Sequence, residues 1–391
     1  MIRTICRACG APIAPILDLG VQPAANALLK TRDEPQARYP LRAAICSGCT
    51  LMQVDWDVPH AELFNRDYPY FSGQSTQWVE HCRAYAEMAW ERFSLDSTDL
   101  VLEVGSNDGT LLQFFKGRCR IAGVDTSESV AKFANERGIP TTTAEFTRRI
   151  HWPRADLIIA NNVLAHTPDI NEFAATLAAT LEIQGIATIE FPWVLHLVEE
   201  GQFDTIYHEH YSYLSVTALQ ILFKRHGLHI FDVEQLPTHG GSLRVYLCPD
   251  QVRQEPSVAE AIEREKGIRY QDLSVTAQRC RREFMDFAIN SRSAPLWAYG
   301  AAAKGNTFLN YCEALELPAN IRAVGDTTPA KQGKFLPGTR IPVVSEDALL
   351  AMKPDHILIL PWNWKTEIIA KLRGRGYAGK FVTAIPKLEI V

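Results

Sequence analysis

The stretch DLVLEVGSNDGTLLQFF, residues 99–115, decides the fold of this 391-residue chain. Its first half is a short apolar run interrupted by Glu103, and such a run is typical of a buried strand. Gly105 permits the tight turn that follows, and residues 108–110 are expected to open a helix. A strand, a glycine-containing loop and a helix in this order predict the first unit of a doubly wound α/β sheet.

Three later segments extend this unit. The stretch RIAGVD ends at Asp125, ADLIIAN ends at Asn161, and GIATIE ends at Glu190, each reading as a strand. Asp125 lies about 20 residues after the glycine loop, a distance at which a carboxylate can bind a ribose hydroxyl. The loop lacks the three glycines that let a backbone approach a pyrophosphate. A bare Rossmann turn or an NAD site is therefore the weaker alternative to a cofactor without phosphate.

The pattern E-x-G-x-N-x-G, residues 103–109, resembles motif I of the class I S-adenosylmethionine (SAM) methyltransferases. The resemblance implies that the acidic residue and the glycine loop hold the amino-acid end of SAM and that the acid on the second strand holds the ribose. AEFT, residues 144–147, is expected to contact the adenine. The cofactor-binding residues predicted in this way are Glu103, Gly105, Ser106, Asn107, Asp125 and Asn161.

Two cysteine pairs near the start have the spacing of zinc knuckles. Cys6 and Cys9 lie in CRACG, and Cys46 and Cys49 lie in CSGC. Two intervening residues let a tight turn aim both thiolates at one ion, and two such turns make a closed structural zinc site. A redox CxxC is the alternative, but it would not need two copies. We expect zinc to hold together a small lobe, because a lobe of this size builds only a weak core alone.

Bulk properties exclude several classes of function. The net charge of −5 argues against a nucleic-acid coat and a polybasic membrane anchor, and no apolar run reaches the ~20 residues that span a bilayer. The start, MIRTICRACG, lacks the apolar core of a signal peptide, and paired cysteines without an export signal indicate a reducing compartment. We expect a cytoplasmic protein that binds neither nucleic acid nor membrane, as a monomer or small homo-oligomer.

The segment IYHEHYSYLS, residues 206–215, combines three tyrosines, two histidines and one glutamate. It precedes a helical run, 215–227, for which Ser215 is a good N-cap. This places it at the carboxyl edge of the sheet, where ligands bind in open α/β folds. A second metal site and an aromatic surface loop are the alternatives. Acid–base chemistry fits best, because an imidazole titrates near working pH and a neighbouring tyrosine or carboxylate can assist it.

His166, in NNVLAHTPD, ends the loop after the third strand and so lies near the same edge. Spacing alone favours neither a place in the same cavity nor a solvent-exposed helix start.

A second strand–loop–helix unit begins at PLWAYGAAAKGNTFLNYC, residues 295–312, and three further segments, 321–344, 355–372 and 379–391, complete a second sheet. Small residues occupy the place of a dinucleotide fingerprint. Lys304 lies between the strand and the helix N-terminus, where loop N–H groups, the helix dipole and an ammonium together favour an anion. The diphosphate of a substrate is favoured there over a second dinucleotide cofactor.

The order of these motifs resembles the sugar-nucleotide C-methyltransferases of deoxysugar biosynthesis, over essentially the whole chain. A zinc-stapled lobe, a SAM fold, YHEHYSYLS, HGGSLRVY and YGAAAKGN follow one another. The resemblance implies a SAM-dependent enzyme that acts on a dTDP-4-keto-6-deoxyhexose, or on a GDP- or CDP-sugar. Such an enzyme removes the C3 proton beside the 4-ketone and transfers the methyl group of SAM to C3.

The resemblance also implies roles for individual residues. The base is the second histidine of Y-H-E-H, which is His210. Tyr207 and Glu209 support it, and His166 lies near the C4 oxygen. His208 is expected to be structural.

Residues from three motifs are expected to bind the sugar and its diphosphate. In YPYFSGQS, Tyr70 is the first choice for the sugar contact and Tyr68 is the second. The expected ligands of the diphosphate are Lys304, Asn306, His239 and Arg244.

The predicted fold class is α/β with three parts. They are an N-terminal zinc-binding lobe (1–75), a class I SAM-methyltransferase Rossmann-like domain with the catalytic loop (76–250) and a second Rossmann-like C-terminal domain (251–391). The last begins with a charged helical stretch, 257–291. Two competing functions stay open: methylation of an oxygen or nitrogen on another acceptor, which needs no C–H base, and a non-catalytic zinc-ribbon scaffold.

Overall fold

A computed structural model of the chain describes residues 2–63, 71–250, 252–291, 295–312 and 321–391. Its strands in chain order are β1 (Ile13–Gln22), β2 (Tyr39–Cys46), β3 (Met52–Val54), β4 (Leu100–Val104), β5 (Arg120–Asp125), β6 (Thr141–Thr143), β7 (Ala155–Asn161), β8 (Leu181–Pro192), β9 (Ser212–Tyr213), β10 (His229–Leu236), β11 (Ser242–Cys248), β12 (Leu296–Tyr299), β13 (Ile321–Asp326), β14 (Val343–Ser345), β15 (His356–Ile359), β16 (Lys380–Thr383) and β17 (Glu389–Ile390).

The α-helices alternate with these strands in the second and third parts of the chain. In chain order they are α1 (His60–Leu63), α2 (Thr76–Arg92), α3 (Glu128–Glu136), α4 (Ile170–Thr180), α5 (Val194–Glu199), α6 (Val216–Lys224), α7 (Pro256–Glu265), α8 (Asp272–Asn290), α9 (Ala303–Tyr311), α10 (Glu346–Ala351) and α11 (Lys365–Gly374).

The middle sheet has the order β10-β11-β8-β7-β4-β5-β6. Strands β8, β7, β4, β5 and β6 are parallel, and β11 runs antiparallel to β8. The chain moves outward from β4 to β5 and β6, then returns to β7 and moves the other way. The carboxyl ends of β4 and β7 therefore form the switch-point crevice where doubly wound folds bind ligands.

Gly105 makes the turn after β4 possible. Its φ is +69°, and a Cβ atom built on it would lie 2.5 Å from Cγ2 of Val163. A side chain is therefore excluded both by backbone conformation and by the close approach of the loop after β7. Asp125 and Asn161 end β5 and β7 as the sequence predicts.

The expected helix at residues 108–110 is wrong. The structure has only one turn of 3₁₀ helix, Leu112–Phe114, before β5. Gly109 takes a φ of +77° and Gly117 takes +81°, conformations that no helix interior accommodates, so they limit the turn on both sides. The Asp108 carboxylate accepts hydrogen bonds from Thr110 and from Gly73 of the preceding segment.

The third sheet has the order β14-β13-β12-β15-β16-β17 and is parallel except for β17. Its switch point lies between β12 and β15. Gly300 makes the turn there with a φ of +85°, and its Cβ position would lie 2.5 Å from Cδ of Pro361. The predicted α/β class, with a second Rossmann-like sheet, is confirmed. The two domain boundaries near residues 75 and 250 stay a prediction.

The N-terminal lobe contributes an antiparallel sheet of order β1-β2-β3-β9. The fourth strand comes from the IYHEHYSYLS segment, because Met52 pairs with Tyr213 and Gln53 pairs with Ser212. The catalytic segment predicted from the sequence, residues 206–215, therefore supplies the fourth strand of the lobe sheet.

Helix α6 begins where the sequence predicts, since Ser215 accepts a hydrogen bond from Ala218 N. A second acceptor comes from α7. The buried carboxylate of Glu265 accepts hydrogen bonds from Val216 N at 2.7 Å, Thr217 N at 2.9 Å and Trp193 Nε1 at 2.7 Å. Glu265 thus fixes the end of the catalytic segment to the helices that lead into the third sheet.

Replacing Glu265 with alanine is expected to lower the free energy of unfolding by about 3 kcal/mol or more, because three buried N–H groups lose their acceptor. Urea unfolding followed by circular dichroism would measure the change. Glu263→Ala on the same helix is the control, because that carboxylate is exposed and contacts only exposed Lys266. Equal urea concentrations at the midpoint of unfolding for the two variants would contradict the role assigned to Glu265.

Within the part of the chain that the structure describes, we find no helix whose length and apolar character would carry it across a bilayer.

Candidate active site

One cavity of about 590 Å³ is lined by residues from the lobe and from both Rossmann-like sheets. Its cofactor-side lining includes Gly105, Asn107, Asp125 and Asn161. The catalytic segment contributes its central residues, and the third sheet contributes the loops after β12 and β15. The lining residues from these two regions are Tyr207, Glu209, His210, Ala302, Lys304, Pro361, Asn363 and Trp364, and His166 and Thr205 also line the cavity.

The crevice between β4 and β7 fits SAM. Both side-chain polar atoms of Asn161 are buried and have no partner among the described residues, although the residue lines the cavity. Such atoms need a ligand to bind, since a buried polar group without a partner is costly. The Asp125 carboxylate accepts from Asn107 N at 2.9 Å and from Ser127 N at 2.8 Å, and it keeps further lone pairs for ribose hydroxyls. Burial raises the pKa of Asp125.

Two predicted cofactor residues lie behind the cavity wall. Glu103 is buried, and burial, followed by the charges of Asp108 and Asp125, raises its pKa well above the usual range. Ser106 is 2% exposed, and its hydroxyl lies against Gly123 of β5. Neither lines the cavity. The Ser106 hydroxyl packs between the loop and the sheet. The predicted roles of Glu103 and Ser106 in binding SAM stay predictions.

The chain before α2 covers the glycine loop. Ser72 N donates to Asn107 Oδ1 at 2.9 Å, and Gly73 N donates to Asp108 Oδ2 at 2.9 Å. Ser72 and Trp78 line the cavity as a result. On the opposite side, residues 144–147 also line it, in the position that the sequence predicts for an adenine contact.

His210 is held in one tautomer by the backbone. Its Nδ1 lies 2.9 Å from the carbonyl oxygen of Thr205, and a carbonyl can only accept, so Nδ1 carries the hydrogen. In the neutral ring Nε2 then has the lone pair, and it lies 3.0 Å from the Tyr207 hydroxyl. The two rings overlap, with centroids 4.1 Å apart. An imidazole held in this way is ready to take up a proton at Nε2.

His166 lies beside this pair. Its Nδ1 is 2.8 Å from the carbonyl oxygen of Glu209, and its ring meets His210 edge-on at a centroid distance of 4.7 Å. The structure thus favours the cavity over the solvent-exposed alternative. Two imidazoles this close do not both become charged readily, because like charges oppose each other's ionisation.

Glu209 and His208 face different surroundings. Glu209 is 1% exposed, burial raises its pKa to about 7, and its Oε2 accepts from Asn26 Nδ2 of the lobe at 2.6 Å. His208 is also buried, but it lies away from the cavity, with Nε2 3.3 Å from the carbonyl oxygen of Pro40. Burial lowers the pKa of His208 to about 4, so it stays neutral at working pH. These contacts favour the structural role expected for His208.

Lys304 is a charged group that the third sheet's side of the molecule contributes to the cavity lining. Its ammonium donates to Asn363 Oδ1 at 3.1 Å and lies 5.1 Å from the ring centre of Trp362. Burial lowers the pKa of Lys304, and the carboxylate of Asp204 opposes that effect. Asp204 is itself buried and accepts from Trp362 Nε1 at 2.9 Å. An anion that enters this part of the cavity would meet a desolvated ammonium.

Two predicted ligands of a diphosphate lie elsewhere. Arg244 is buried in the middle sheet, where its guanidinium binds Glu190 and Glu234, each at 2.9 Å. Asn306 is a residue of α9 and is 1% exposed. Neither lines the cavity. The expectation for Arg244 is corrected, because its guanidinium is already paired with two carboxylates. Asn306 stays a prediction, since both of its side-chain polar atoms are buried and have no partner among the described residues.

Three more predicted substrate-binding side chains lie outside the part of the chain that the structure describes. Tyr68 and Tyr70 lie outside the described residues, and so does the side chain of His239. The backbone of the turn Thr238–Gly240 is described, and Thr238 Oγ1 lies 3.1 Å from Glu190 Oε1.

The four cysteines of the two knuckles meet in the lobe. The sulfur atoms of Cys6, Cys9, Cys46 and Cys49 all lie within 4.8 Å of one another. Backbone N–H groups of Ala8, Gly48 and Cys49 point at two of these sulfurs, at 3.2–3.4 Å. Four thiols at such distances fit a tetrahedral zinc ion, and four protein ligands leave no open position for catalysis.

The lobe holds the catalytic segment in several places. Besides the β3–β9 pairing, Val54 N donates to the Tyr211 carbonyl at 3.2 Å, and the Tyr211 hydroxyl donates to the Val58 carbonyl at 2.9 Å. Arg7, between Cys6 and Ala8, donates to the carbonyl of Pro168, two residues after His166. The four cysteines and the predicted acid–base residues therefore belong to one packed unit.

Sequence reasoning missed several residues of the cavity. Asn26 and Thr205 carry no motif, and each acts through a partner distant in the chain or through a backbone carbonyl. Asn363 and Trp364 lie in PWNW after β15, a position that the strand-end rule for doubly wound sheets identifies as a ligand site.

Three family models match successive parts of the chain. The model described as "Putative zinc binding domain" matches residues 6–64, "Methyltransferase domain" matches 78–233, and "C-methyltransferase C-terminal domain" matches 237–386. C-methyltransferase NovU of Streptomyces niveus is 33% identical over 407 residues, which cover 99% of this chain and 96% of NovU.

Solved structures match smaller parts. Magnesium protoporphyrin IX methyltransferase (ChlM) of Synechocystis PCC 6803 with bound SAH is 14% identical and covers 44% of this chain and 83% of its own, with a TM-score of 0.38. A chain from the Haloferax volcanii complex between the Trm112 methyltransferase activator and a methyltransferase is 14% identical. The match covers 46% of this chain and 95% of that chain, with a TM-score of 0.39.

A zinc-binding lobe, a SAM-type sheet and a further C-terminal domain that together enclose one cavity define the class: a SAM-dependent methyltransferase with a structural zinc site. The chain belongs to the C-methyltransferase family that includes NovU. It is an enzyme that transfers a methyl group from SAM to a carbon atom.

Proposed function

We propose that the acceptor carbon is C3 of a nucleotide-linked 4-keto-deoxyhexose and that methyl transfer follows base-catalysed enolisation, as in deoxysugar biosynthesis. The observation that carries the proposal is a single cavity that Asp125, His210 and Lys304 all line. A sugar nucleotide has its reactive carbon and its diphosphate at separate points, and His210 and Lys304 of this cavity would receive them.

His210 is the proposed base. A C–H bond beside a ketone loses its proton only to a positioned base, and Nε2 of His210 has the lone pair that accepts it. The Tyr207 hydroxyl, 3.0 Å from Nε2, orients the ring and can pass the proton onward. The carbonyl of Thr205 stabilises the imidazolium that forms, because it accepts from Nδ1–H in both protonation states.

His166 is the proposed partner of the ketone oxygen. Its Nδ1–H donates to the Glu209 carbonyl, so only a protonated ring has an Nε2–H to donate to the developing enolate oxygen. His210 must be neutral to act as a base. The 4.7 Å separation of the two rings favours this division into one charged and one neutral imidazole.

Bound SAM supplies an electrophilic sulfonium methyl group. The chain's part is to hold both reactants in one water-poor space, with Asp125 and Asn161 on the cofactor side and the histidines on the acceptor side. Lys304 would bind the diphosphate, Asn363 would orient that ammonium, and Trp364, which is 40% exposed at the cavity, offers an aromatic face to a nucleobase.

Incubation with SAM and a panel of nucleotide-linked 4-ketosugars tests the proposal. Mass spectrometry should find products heavier by one CH₂ group, and NMR should place the new methyl group on C3. A product methylated on oxygen or nitrogen, or no acceptance of any ketosugar while SAM binds, would contradict it. The identity of the nucleotide is an outcome of the same panel.

Lys304→Ala is expected to raise KM for the sugar nucleotide about 10–100-fold, the loss of one hydrogen bond to a charged group. Affinity for SAM should not change, because Lys304 is a residue of α9 beside the third sheet, whereas the predicted SAM residues belong to the middle sheet. Steady-state kinetics and calorimetry would measure the two effects. Lys365→Ala is the matched control, since that lysine pairs with Glu389 outside the cavity. An unchanged KM in the Lys304 variant would remove Lys304 from the diphosphate site.

A further inference from the structure

Asn26 lies on a turn of the lobe. Hydrogen bonds within the lobe and to the C-terminal domain hold this turn in place. Ala27 N donates to the Ala24 carbonyl at 3.2 Å, and Leu28 N donates to the Asn26 carbonyl at 2.9 Å. The next residue, Leu29, exchanges two backbone hydrogen bonds of 2.9 Å with Phe335 of the C-terminal domain. The zinc lobe and the C-terminal domain therefore both fix the place of Asn26.

The side chain of Asn26 reaches the catalytic segment. Its Nδ2 donates to Glu209 Oε2 at 2.6 Å across 183 positions of sequence. The other carboxylate oxygen, Oε1, is buried and has no partner among the described residues. Both residues line the cavity together with His210. A buried carboxylate oxygen without a donor is costly, so a ligand that fills this space has to supply one.

We infer that Asn26 is a positioning residue for methyl transfer: it holds the Glu209 carboxylate so that Oε1 accepts a hydrogen bond from a hydroxyl group of the acceptor sugar. The inference rests on the proposed function, because a sugar supplies hydroxyl groups beside the reacting carbon. It assigns to the zinc lobe a direct part in binding the acceptor.

Electrostatics support this arrangement. Burial raises the pKa of Glu209 to about 7, and hydrogen bonds from the side chain and backbone of Asn26 oppose that rise. The titratable groups around Glu209 are His208, His210 and Tyr211 of its own segment and His166, while Arg7 and Asp57 of the lobe face Tyr211. Without Asn26 the pKa of Glu209 rises further, so a smaller fraction is ionised at neutral pH.

The test uses the full-length zinc enzyme with Asn26→Ala. We expect kcat/KM for the sugar nucleotide to fall at least about 10-fold at pH 7, with the acidic limb of its pH profile moved upward by about one unit. The loss should therefore shrink toward pH 9. Asn26→Asp, which is nearly isosteric, should move the limb further, because two adjacent carboxylates share a proton. The Asn26→Asp variant also tests the inference if Asn26→Ala does not fold.

Asn171→Ala is the matched control. Asn171 Nδ2 also joins two parts of the chain, donating to the carbonyls of Arg7 at 2.6 Å and Ala8 at 3.1 Å, but it does not contact Glu209. Its pH profile should equal that of the wild type. A carbon-13 NMR titration measures the ionisation of the Glu209 carboxylate in the absence of the sugar substrate, and the Glu209→Gln variant assigns the signal.

The outcomes separate the inference from the proposed function. If no ketosugar is methylated but the Glu209 titration moves in Asn26→Ala, the proposed function fails, while Asn26 still sets the ionisation of Glu209. An unmoved titration, or a loss of rate that is equal at every pH, would overturn the inference, because Asn26 would then serve only to pack the lobe.

Discussion

Replacing His210 with asparagine is expected to lower the rate of methyl transfer by about 10²–10⁴-fold, the range for loss of a general base. The asparagine amide can still donate to the Thr205 carbonyl, which His210 Nδ1 contacts at 2.9 Å, so the segment should keep its conformation. Only the acceptor nitrogen beside Tyr207 is lost. Single-turnover assays with a nucleotide-linked 4-ketosugar would measure the effect, and calorimetry should give an unchanged affinity for SAM.

Deuterium exchange separates the base from other roles of His210. In D₂O without SAM, the wild type should exchange the proton on the acceptor carbon, and the asparagine variant should not. His229→Asn on β10 is a control outside the cavity and should behave as the wild type does. If the His210 variant keeps the full rate of methyl transfer, or exchanges the proton as the wild type does, His210 is not the base.

Loss of the zinc ion is expected to abolish activity although the zinc site does not line the cavity. Structural zinc sites contribute roughly 10–16 kcal/mol in small domains, so Cys46→Ser should release the metal and loosen the lobe. The lobe carries β3, which pairs with β9, and Asn26, which binds Glu209. A displacement of catalytic groups by about 1 Å costs about 100-fold in rate, so we expect at least that loss.

Atomic emission would quantify the zinc, and hydrogen exchange would follow residues 207–213. Amides there should exchange faster in Cys46→Ser, while the strands of the middle sheet stay protected. Cys119→Ser is the matched control, because Cys119 lies outside the sulfur cluster. A zinc-free variant with normal rate and normal protection of 207–213 would disprove the coupling between lobe and catalytic segment.

Local patterns predicted the elements well. The apolar runs that end at Val104, Asp125 and Asn161 are strands, and Ser215 caps a helix, because each depends on neighbours in sequence. The helix expected after Gly105 does not form, and the reason is local and visible in the sequence. Two glycines at positive φ leave room for only one turn.

Side-chain roles were harder to predict. Arg244 has a residue type suited to a diphosphate, yet its guanidinium binds Glu190 and Glu234 and does not line the cavity. In a strand or helix the register decides which side a residue faces, and a motif does not record the register against distant strands.

The sequence by itself determined the cysteine pairs and the glycine loops, and it indicated the resemblance to the family and the segment 206–215 as a candidate for catalysis, because these features are short, contiguous patterns. Only the tertiary structure decided which groups meet. Asn26 contacts Glu209, Thr205 fixes the tautomer of His210, and Asp204 faces Lys304, each pair being brought together by the packing of three sheets. The physical reason is that hydrogen bonds and charges act over a few ångströms of space, regardless of the length of chain between the partners.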